Sequence, residues 1–261
     1  MNIIQAIILG IVEGVTEFLP ISSTAHLILT SKLLAIKQSE FVKLFEVVIQ
    51  SGAMFAVVFL YAKYVLERRK LIVKILISLF PTLVIGYTLF NTVKSLFFDS
   101  FYLIIATTLS IGLVFFVLEY VINRKILVIN KQLRELTIGE ALLIGLFQGV
   151  AVIPGVSRAG IVIIAMLLLR YNREDAVKYS FLLAVPTIFA ATALDIFKSK
   201  SLLMQNNSQL FILGVGCVTA MVTAYFAVRW LVKFVQNHTL VVFGWYRVIL
   251  AAVLLAGTLV K

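Results

Sequence analysis

An apolar stretch near the start of the sequence contains a short run of side chains that could do chemistry. Glu13 and Glu17 are four residues apart, so both carboxylates project from one face of a helix. Three hydroxyl residues and an imidazole follow within ten residues: Ser22, Ser23, Thr24 and His26. Hydroxyl donors, the backbone N–H groups of a helix start and a proton-transfer group together favour a phosphate ligand.

Each of these residues also has a simpler explanation. The two carboxylates could be solvated on an interfacial helix, and the hydroxyl groups could serve as N-caps after Pro20. Against the first alternative, an ionisable group in an apolar segment is costly and by default suggests a function. His26 lies three residues after Ser23, so the two could pair as base and nucleophile.

A cation that would complement these residues lies much later in the chain. Arg158 has no acidic neighbour in sequence and stands between two apolar runs, so it needs an anion. A phosphate held by the two arms of the guanidinium is one partner, and Gly155 would allow a close backbone approach. The alternative is an ion pair with Glu13 or Glu17. Both could apply: the carboxylate would be the partner of Arg158 when the site is free of substrate, and the phosphate when substrate is bound.

The composition indicates the elements that must position these residues. Hydrophobic residues make up 62% of the 261, and charged residues only 13%. A soluble domain has about 25% charged residues, so this chain is an integral membrane protein and not a soluble one. The net charge of +11 follows from basic loops and does not indicate nucleic acid. The single Cys217 excludes an internal disulfide, and the carboxylates in the first apolar segment argue against a cleaved signal peptide.

Six apolar runs are long enough to cross a bilayer of about 30 Å. They cover residues 41–62, 71–90, 101–122, 177–197, 209–231 and 243–260. Two further apolar segments, 3–34 and 138–169, are each broken by a polar elbow that begins at a proline. Irregular backbone at membrane depth is tolerated only inside protein or beside a water-filled cavity. We therefore predict an all-α membrane protein with six transmembrane helices and two re-entrant helical hairpins.

The two hairpins resemble each other in sequence. The run from Gly10 to Thr16 aligns with the run from Gly145 to Ala151 at an offset of 135, and a second match follows at an offset of 134. These matches predict a single membrane domain, 1–261, built from a duplicated unit with halves of about 1–130 and 131–261. Three spans in each half would give the halves opposite orientations in the membrane.

The loop charges support this arrangement. The four connections on one predicted side hold 13 Lys or Arg residues and those on the other side hold 7. The first side is therefore predicted to be cytoplasmic, with both termini outside. Other polar residues in the spans are less informative. Glu46 and Gln50 could line the cavity or fix helix packing; Asp195, Glu119 and Arg247 are expected to snorkel or to pair locally.

The polar segments resemble those of a known family. The run from Glu13 to His26, the run from Pro154 to Arg158, and the segments 45–50 and 180–186 are similar to the bacitracin-resistance type of undecaprenyl pyrophosphate phosphatase. The resemblance covers most of the chain. The chain departs from the family where Ala159 and Val162 replace hydroxyl residues, and where Ala25 stands in place of glycine.

The resemblance implies an enzyme that hydrolyses undecaprenyl pyrophosphate to undecaprenyl phosphate and inorganic phosphate, recycling the carrier lipid for peptidoglycan synthesis. It also implies a site on the outer face of the cytoplasmic (inner) membrane and an interlocked inverted repeat. Glu17, His26, Ser23 and Arg158 would be catalytic. The expected substrate-binding residues are Glu13, Ser22, Thr24, Ser157, Gly155 and Gln50. The nucleophile could be Ser23, His26 or water.

A divalent cation, Mg²⁺ or Ca²⁺, bridging Glu13, Glu17 and the pyrophosphate would offset the concentrated negative charge. The expected partners are a polyprenyl pyrophosphate and the bilayer, with a homodimer as an open option and no nucleic acid. The alternative function is a transporter or flippase for an anionic lipid, because inverted repeats with broken helices are typical of secondary transporters.

Overall fold

The computed structural model describes the backbone of residues 1–97, 101–200 and 207–259, and the side chains of 1–89, 102–200 and 208–257. Within these ranges the fold is all-α, as predicted. The ten α-helices described are α1 (Ile3–Thr16), α2 (Ser23–Leu33), α3 (Glu40–Leu66), α4 (Arg69–Phe97), α5 (Phe101–Asn123), α6 (Ile138–Gly149), α7 (Arg158–Leu168), α8 (Arg173–Lys198), α9 (Asn207–Asn237) and α10 (Val241–Leu259).

Five of the six predicted spans correspond to helices long and apolar enough to cross a membrane: α3, α4, α5, α8 and α9. The sixth corresponds to α10, which is apolar over Val241–Gly257, the part of it whose side chains the structure describes. Residue 260 of that predicted span, and connecting residues 98–100 and 201–206, lie outside the described residues. The chain is thus a multi-pass membrane protein.

The two segments predicted as hairpins are each a pair of short helices joined by an elbow. α1 and α2 form the first pair, with residues 17–22 between them, and α6 and α7 form the second, with residues 150–157 between them. α1 begins at a capping box of Asn2 and Gln5, and α6 begins at one of Thr137 and Glu140. These caps satisfy backbone N–H groups at the helix starts, so the helix boundaries follow from local sequence.

Backbone features recur at the sequence offset of 135. Ser22 (φ 71°) and Ser157 (φ 70°) each stand just before the second helix of a hairpin, and Ala35 (φ 50°) and Arg170 (φ 72°) each follow it. The left-handed conformation is uncommon for residues other than glycine, so its recurrence is informative. A duplicated chain would show this pattern, and the exact halves, 1–130 and 131–261, stay a prediction.

The hairpins pack across the two halves of the chain. α1 packs along α9, and α6 packs along α4. Gly14 of α1 lies so close to Thr223 and to the Ala220 backbone of α9 that a Cβ atom would overlap both. Gly145, on α6, stands in the same relation to Ser78 and Pro81 of α4. Each hairpin is therefore held by a long helix from the other predicted half, while α3 packs on α8 and α5 on α10.

Candidate active site

The two hairpins meet inside the protein through an ion pair between Glu17, in the first elbow, and Arg158, the first residue of α7. Arg158 Nη2 lies 2.7 Å from Glu17 Oε1. Only 13% of the Arg158 side chain and 7% of the Glu17 side chain are exposed, so water screens the pair weakly. Of the two partners that the sequence suggested for Arg158, a carboxylate from the first hairpin is the one present here.

The other Glu17 oxygen binds a hydroxyl. Ser23 Oγ donates to Glu17 Oε2 at 2.5 Å. The carboxylate therefore holds a guanidinium on one side and a hydroxyl group on the other. Ser23 is the first residue of α2, so its hydroxyl lies where the helix presents backbone N–H groups that have no partner within the helix.

The start of α2 has no side-chain cap. Ser22 makes no capping hydrogen bond, whereas Ser157 Oγ accepts from the Gly160 N–H at the start of α7. Simple N-capping, the alternative for Ser22, is thus absent from the described contacts. An uncapped helix start beside a guanidinium group is suited to bind an anion.

Arg158 has capacity for a further ligand. Its Nη1 donates to the Ser180 carbonyl of α8 at 3.0 Å, and its Nε has no hydrogen-bond partner among the described residues. A buried donor without a partner is costly and calls for an explanation. A phosphate oxygen would satisfy it.

Glu13 is fully buried, and neither of its carboxylate oxygens has a hydrogen-bond partner among the described residues. It lies one helical turn before Glu17 on α1. These oxygens suit the predicted Mg²⁺ or Ca²⁺, because Mg²⁺ commonly takes one or two carboxylates together with substrate phosphates. The described residues hold no group of three or more His, Cys, Asp or Glu side chains that would bind a metal unaided. A cation here would need oxygen ligands from the substrate.

The ring nitrogens of His26 bond to groups other than Ser23, so the predicted hydrogen-bonded pair is not formed among the described contacts. Its Nδ1 lies 2.7 Å from the Ser22 carbonyl and its Nε2 lies 2.6 Å from the Tyr246 hydroxyl. A carbonyl oxygen only accepts, so Nδ1 carries a proton and Nε2 is the nitrogen that exchanges protons. Tyr246, on α10, also stacks on the imidazole ring. Sequence reasoning missed Tyr246, because nothing in the local pattern relates it to the hairpin.

Arg247, the next residue, joins the two elbows. It is fully buried, and it donates to Pro20 O at 3.1 Å and to Gly155 O at 2.6 Å. It also donates to the Thr108 carbonyl of α5 at 3.1 Å. The prediction that Arg247 snorkels or pairs locally is therefore wrong. Its planar guanidinium group instead satisfies the carbonyls of Pro20 and Gly155, which lie outside the helices, together with one carbonyl of α5.

The remaining residues of the predicted site have more varied surroundings. Gly155, with φ +88°, lies so close to Thr107 and Ile104 of α5 that a Cβ atom would overlap them, so packing requires the glycine. Thr24 is exposed at the start of α2. Gln50 donates to the Glu46 carbonyl of its own helix at 3.2 Å, and Ser31 donates to the Glu46 carboxylate at 2.9 Å. The bond from Ser31 joins α2 to α3, as expected if Glu46 fixes helix packing, whereas the bond of Gln50 stays within α3. The role of Gln50 in substrate binding stays a prediction.

Two residues at which the chain departs from the family pattern are in the core. Ala159 and Val162 of α7 are 1% and 0% exposed. Val162 packs in the main hydrophobic cluster. Apolar residues suit such buried positions. The side chains of Ala159 and Val162 take no part in the contacts of Glu17 with Arg158 and Ser23.

Together these groups can bind an anion and transfer a proton. Arg158 and the α2 start attract negative charge, Ser23 is a hydroxyl in contact with a carboxylate base, and His26 is a second proton-transfer group one turn away. This combination suits phosphoryl transfer, in which positioning and charge stabilisation do most of the work.

Comparison with known proteins agrees with this chemistry. Residues 6–253 match the model of the family described as bacitracin resistance protein BacA. A protein of Sulfurihydrogenibium sp. (strain YO3AOP1) named undecaprenyl-diphosphatase is 46% identical over 96% of this chain and 97% of its own length. Proteins of the same name from Persephonella marina and Aquifex aeolicus are 45% and 41% identical, each over at least 95% of both chains. The chain therefore belongs to the BacA, or bacitracin resistance protein, family.

Proposed function

We propose that this protein hydrolyses undecaprenyl pyrophosphate to undecaprenyl phosphate and inorganic phosphate, as the names of its relatives indicate for them. The observation that carries the proposal is the Glu17 carboxylate, which touches both Ser23 and Arg158. Arg158 would bind the phosphate, Ser23 would attack it, and the Glu17 carboxylate between them would take the proton of the Ser23 hydroxyl. Turnover would recycle the carrier lipid for cell-wall synthesis.

The pyrophosphate would bind between the two elbows. The free Nε of Arg158 and the uncapped N–H groups at the start of α2 would donate to its oxygens, and Ser22 and Thr24 lie at the same helix start. Glu13 and Glu17 would hold a divalent cation, which would neutralise charge on the pyrophosphate when bound. The unpartnered oxygens of Glu13 support this role.

We propose Ser23 as the nucleophile. Its Oγ would attack the terminal phosphorus while its proton passes to Glu17, and the bond from that phosphorus to the bridging oxygen would break. Undecaprenyl phosphate would leave with the bonding electrons. Water would then attack the phosphoserine, release inorganic phosphate and restore the Ser23 hydroxyl. His26 stays a candidate for proton transfer in the second step, since its Nε2 is the exchangeable nitrogen.

The transporter alternative is less well supported. Its basis is the internal repeat, which does not distinguish a transporter from an enzyme. The relatives named above carry the name of a hydrolase, and a hydroxyl bonded to a carboxylate at 2.5 Å has a chemical role that binding and release would not require. A location in the inner membrane, with the site open to the outside, is part of the proposal.

Phosphate release from undecaprenyl pyrophosphate by the protein in detergent tests the function. Ser23→Ala and Glu17→Gln should each lower turnover by about 100-fold or more, because each removes a proton-transfer or nucleophilic group. Ser110→Ala is the matched control, since its hydroxyl bonds only to its own helix at Ala106. If the wild-type protein released no more phosphate than Ser23→Ala, the proposed hydrolysis would be contradicted.

The nucleophile is tested separately, by quenching the reaction with labelled terminal phosphate. Covalent label on wild-type protein that is absent from Ser23→Ala supports a phosphoserine. Label that persists in Ser23→Ala and disappears in His26→Ala would indicate His26 instead. Absence of covalent label from both, with turnover intact in Ser23→Ala, would indicate direct attack by water.

A further inference from the structure

A charged cavity lies at the end of the protein where α3 meets α4. It has a volume of about 550 Å³ and is far in sequence from the two elbows. Five basic side chains line it, with Glu67 as the acidic one: Arg68, Arg69, Lys70, Lys74 and Arg134. The first four come from the α3–α4 connection and from α4, whereas Arg134 comes from a separate connection between α5 and α6.

The cations of this cavity are largely unpaired. Arg68 lies 4.0 Å from Glu67 and stacks on the Tyr64 ring. The other four have no ion pair among the described residues. Like charges gathered around one cavity repel one another, so an anion bound there would relieve an unfavourable field. The positive-inside rule accounts for cations in these two connections. It does not explain why cations from the α3–α4 region and from the α5–α6 connection line the same cavity.

The position of Arg134 is fixed by the fold. Leu133 is buried, and its N–H donates to Asp175 Oδ2 at the start of α8 at 2.8 Å. That bond holds the short 3₁₀ turn Leu133–Glu135 against the helix. The cavity therefore has one wall that does not depend on the α3–α4 connection.

An apolar surface continues from the cavity along α4. Arg69, Val73, Leu76 and Phe80 follow at helical spacing, so they share one face of the helix. Val73, Leu76 and Phe80 are each more than half exposed. A ligand with an anionic head at Arg69 and a hydrocarbon chain along this stripe would use both surfaces. Free phosphate would use only the first.

We propose that this cavity binds the head group of an anionic glycerophospholipid, with an acyl chain lying along the Val73–Leu76–Phe80 face of α4. Basic pockets between membrane helices are suited to such head groups. The site is separate from the elbows and does not depend on the proposed hydrolysis.

Native mass spectrometry of the full chain in neutral detergent tests the proposal, with dioleoyl phosphatidylglycerol and dioleoyl phosphatidylcholine as probes. Wild type should retain phosphatidylglycerol and not phosphatidylcholine. Arg69→Gln combined with Arg134→Gln should weaken phosphatidylglycerol binding about 30-fold, since each basic residue near an anionic lipid contributes about fivefold. This double variant should keep wild-type phosphate release, which would show that it is folded.

The matched control is Arg124→Gln combined with Lys125→Asn, which removes two exposed cations outside the cavity. Asn suits the positive φ of 58° at position 125. This control should bind phosphatidylglycerol as wild type does. Equal retention of phosphatidylcholine, or equal loss in the control, would overturn the proposal. Two further results would also overturn the proposal: displacement of the lipid by millimolar inorganic phosphate, and equally tight binding of a dihexanoyl lipid. Either would show that the cavity binds anions without using the apolar face of α4.

Discussion

His26 is oriented by two contacts from opposite directions. The Ser22 carbonyl accepts a hydrogen bond from Nδ1–H, and the Tyr246 hydroxyl lies 2.6 Å from Nε2. The ring can therefore exchange protons only at Nε2, and the Tyr246 hydroxyl is in contact with that nitrogen. Tyr246 is a positioning residue, because its known contact is with His26 and not with the reacting groups at Glu17.

Tyr246→Phe should lower phosphate release about 5- to 10-fold, because the ring stack survives while the hydrogen bond to Nε2 is lost. Tyr120→Phe, an exposed tyrosine on α5, should leave the rate unchanged. In a double-mutant cycle with His26→Ala, adding Tyr246→Phe should cost nothing further. Losses that multiply in the double variant would show that Tyr246 acts independently of His26.

At the level of single residues, the sequence indicated the hairpin groups better than their neighbours. Glu17 and Arg158 were identifiable because a charge in an apolar stretch is conspicuous, and their ion pair was among the alternatives. Arg247 carried the same signal, since it interrupts the apolar run of α10. Its nearness to a span end suggested snorkelling, and only the packing of α10 against α5 brings it to the elbows. Glu119 was misjudged for the same reason: it pairs with Arg173, 54 residues away.

Among the elements, the contact of α1 with α9 depends on small residues. Gly14→Ala should lower the stability of the protein, because the new Cβ would overlap Thr223 and the Ala220 backbone. Overpacking of this kind costs about 1–3 kcal/mol. Gly86→Ala on α4 is the control, since a Cβ there meets nothing within 4 Å. Thermal unfolding in detergent measures both. A Gly14→Ala protein as stable as Gly86→Ala would show that α1 and α9 can separate without cost.

The elbows depend in turn on Arg247. Arg247→Lys keeps the charge but not the planar group with several donors, so one or more carbonyls at Pro20, Gly155 and Thr108 would lose their partner. Each buried acceptor left unsatisfied costs about 1–3 kcal/mol. We expect a lower unfolding temperature and a loss of phosphate release together. Arg229→Lys, an exposed position, should change neither. Full activity in Arg247→Lys would mean that the elbows hold their geometry unaided.

The elements themselves were predictable because hydropathy has a simple physical basis. A long apolar run must be a helix in lipid, and a polar break within such a run must be enclosed by protein. What the sequence did not indicate is which helix encloses which elbow. That choice depends on close contacts such as Gly145 against Ser78 and Pro81, which have no signature beyond a glycine in a helix.

Across the whole molecule, the connections that hold most of the cations gather at one end. Glu119 of α5 binds Arg173 at the start of α8 and accepts from the Leu240 N–H, at 2.9 Å, between α9 and α10. Gln236 of α9 donates to Glu174 of α8 at 3.1 Å. Position 37 precedes the start of α3 and Arg69 follows its end, and a helix of 27 residues separates these two points by about 40 Å.

This arrangement predicts a labelling pattern in whole cells. In a Cys217→Ala background, Lys37→Cys should react with a membrane-impermeant maleimide, whereas Arg69→Cys and Arg124→Cys should react only after permeabilisation. Cys217→Ala itself should show no labelling and serves as the background. The reverse pattern would place the basic end outside and would contradict the proposed orientation of the site.

The position of Arg247 in the chain has a consequence for biosynthesis. A ribosome delivers the first elbow early and the second at residues 150–157, and α10 follows both, so the first loop stays unsecured for most of the synthesis and the second for a shorter time. Arg247 and Tyr246 arrive together and join both loops at once. We therefore expect phosphatase activity only in chains that have been translated through α10.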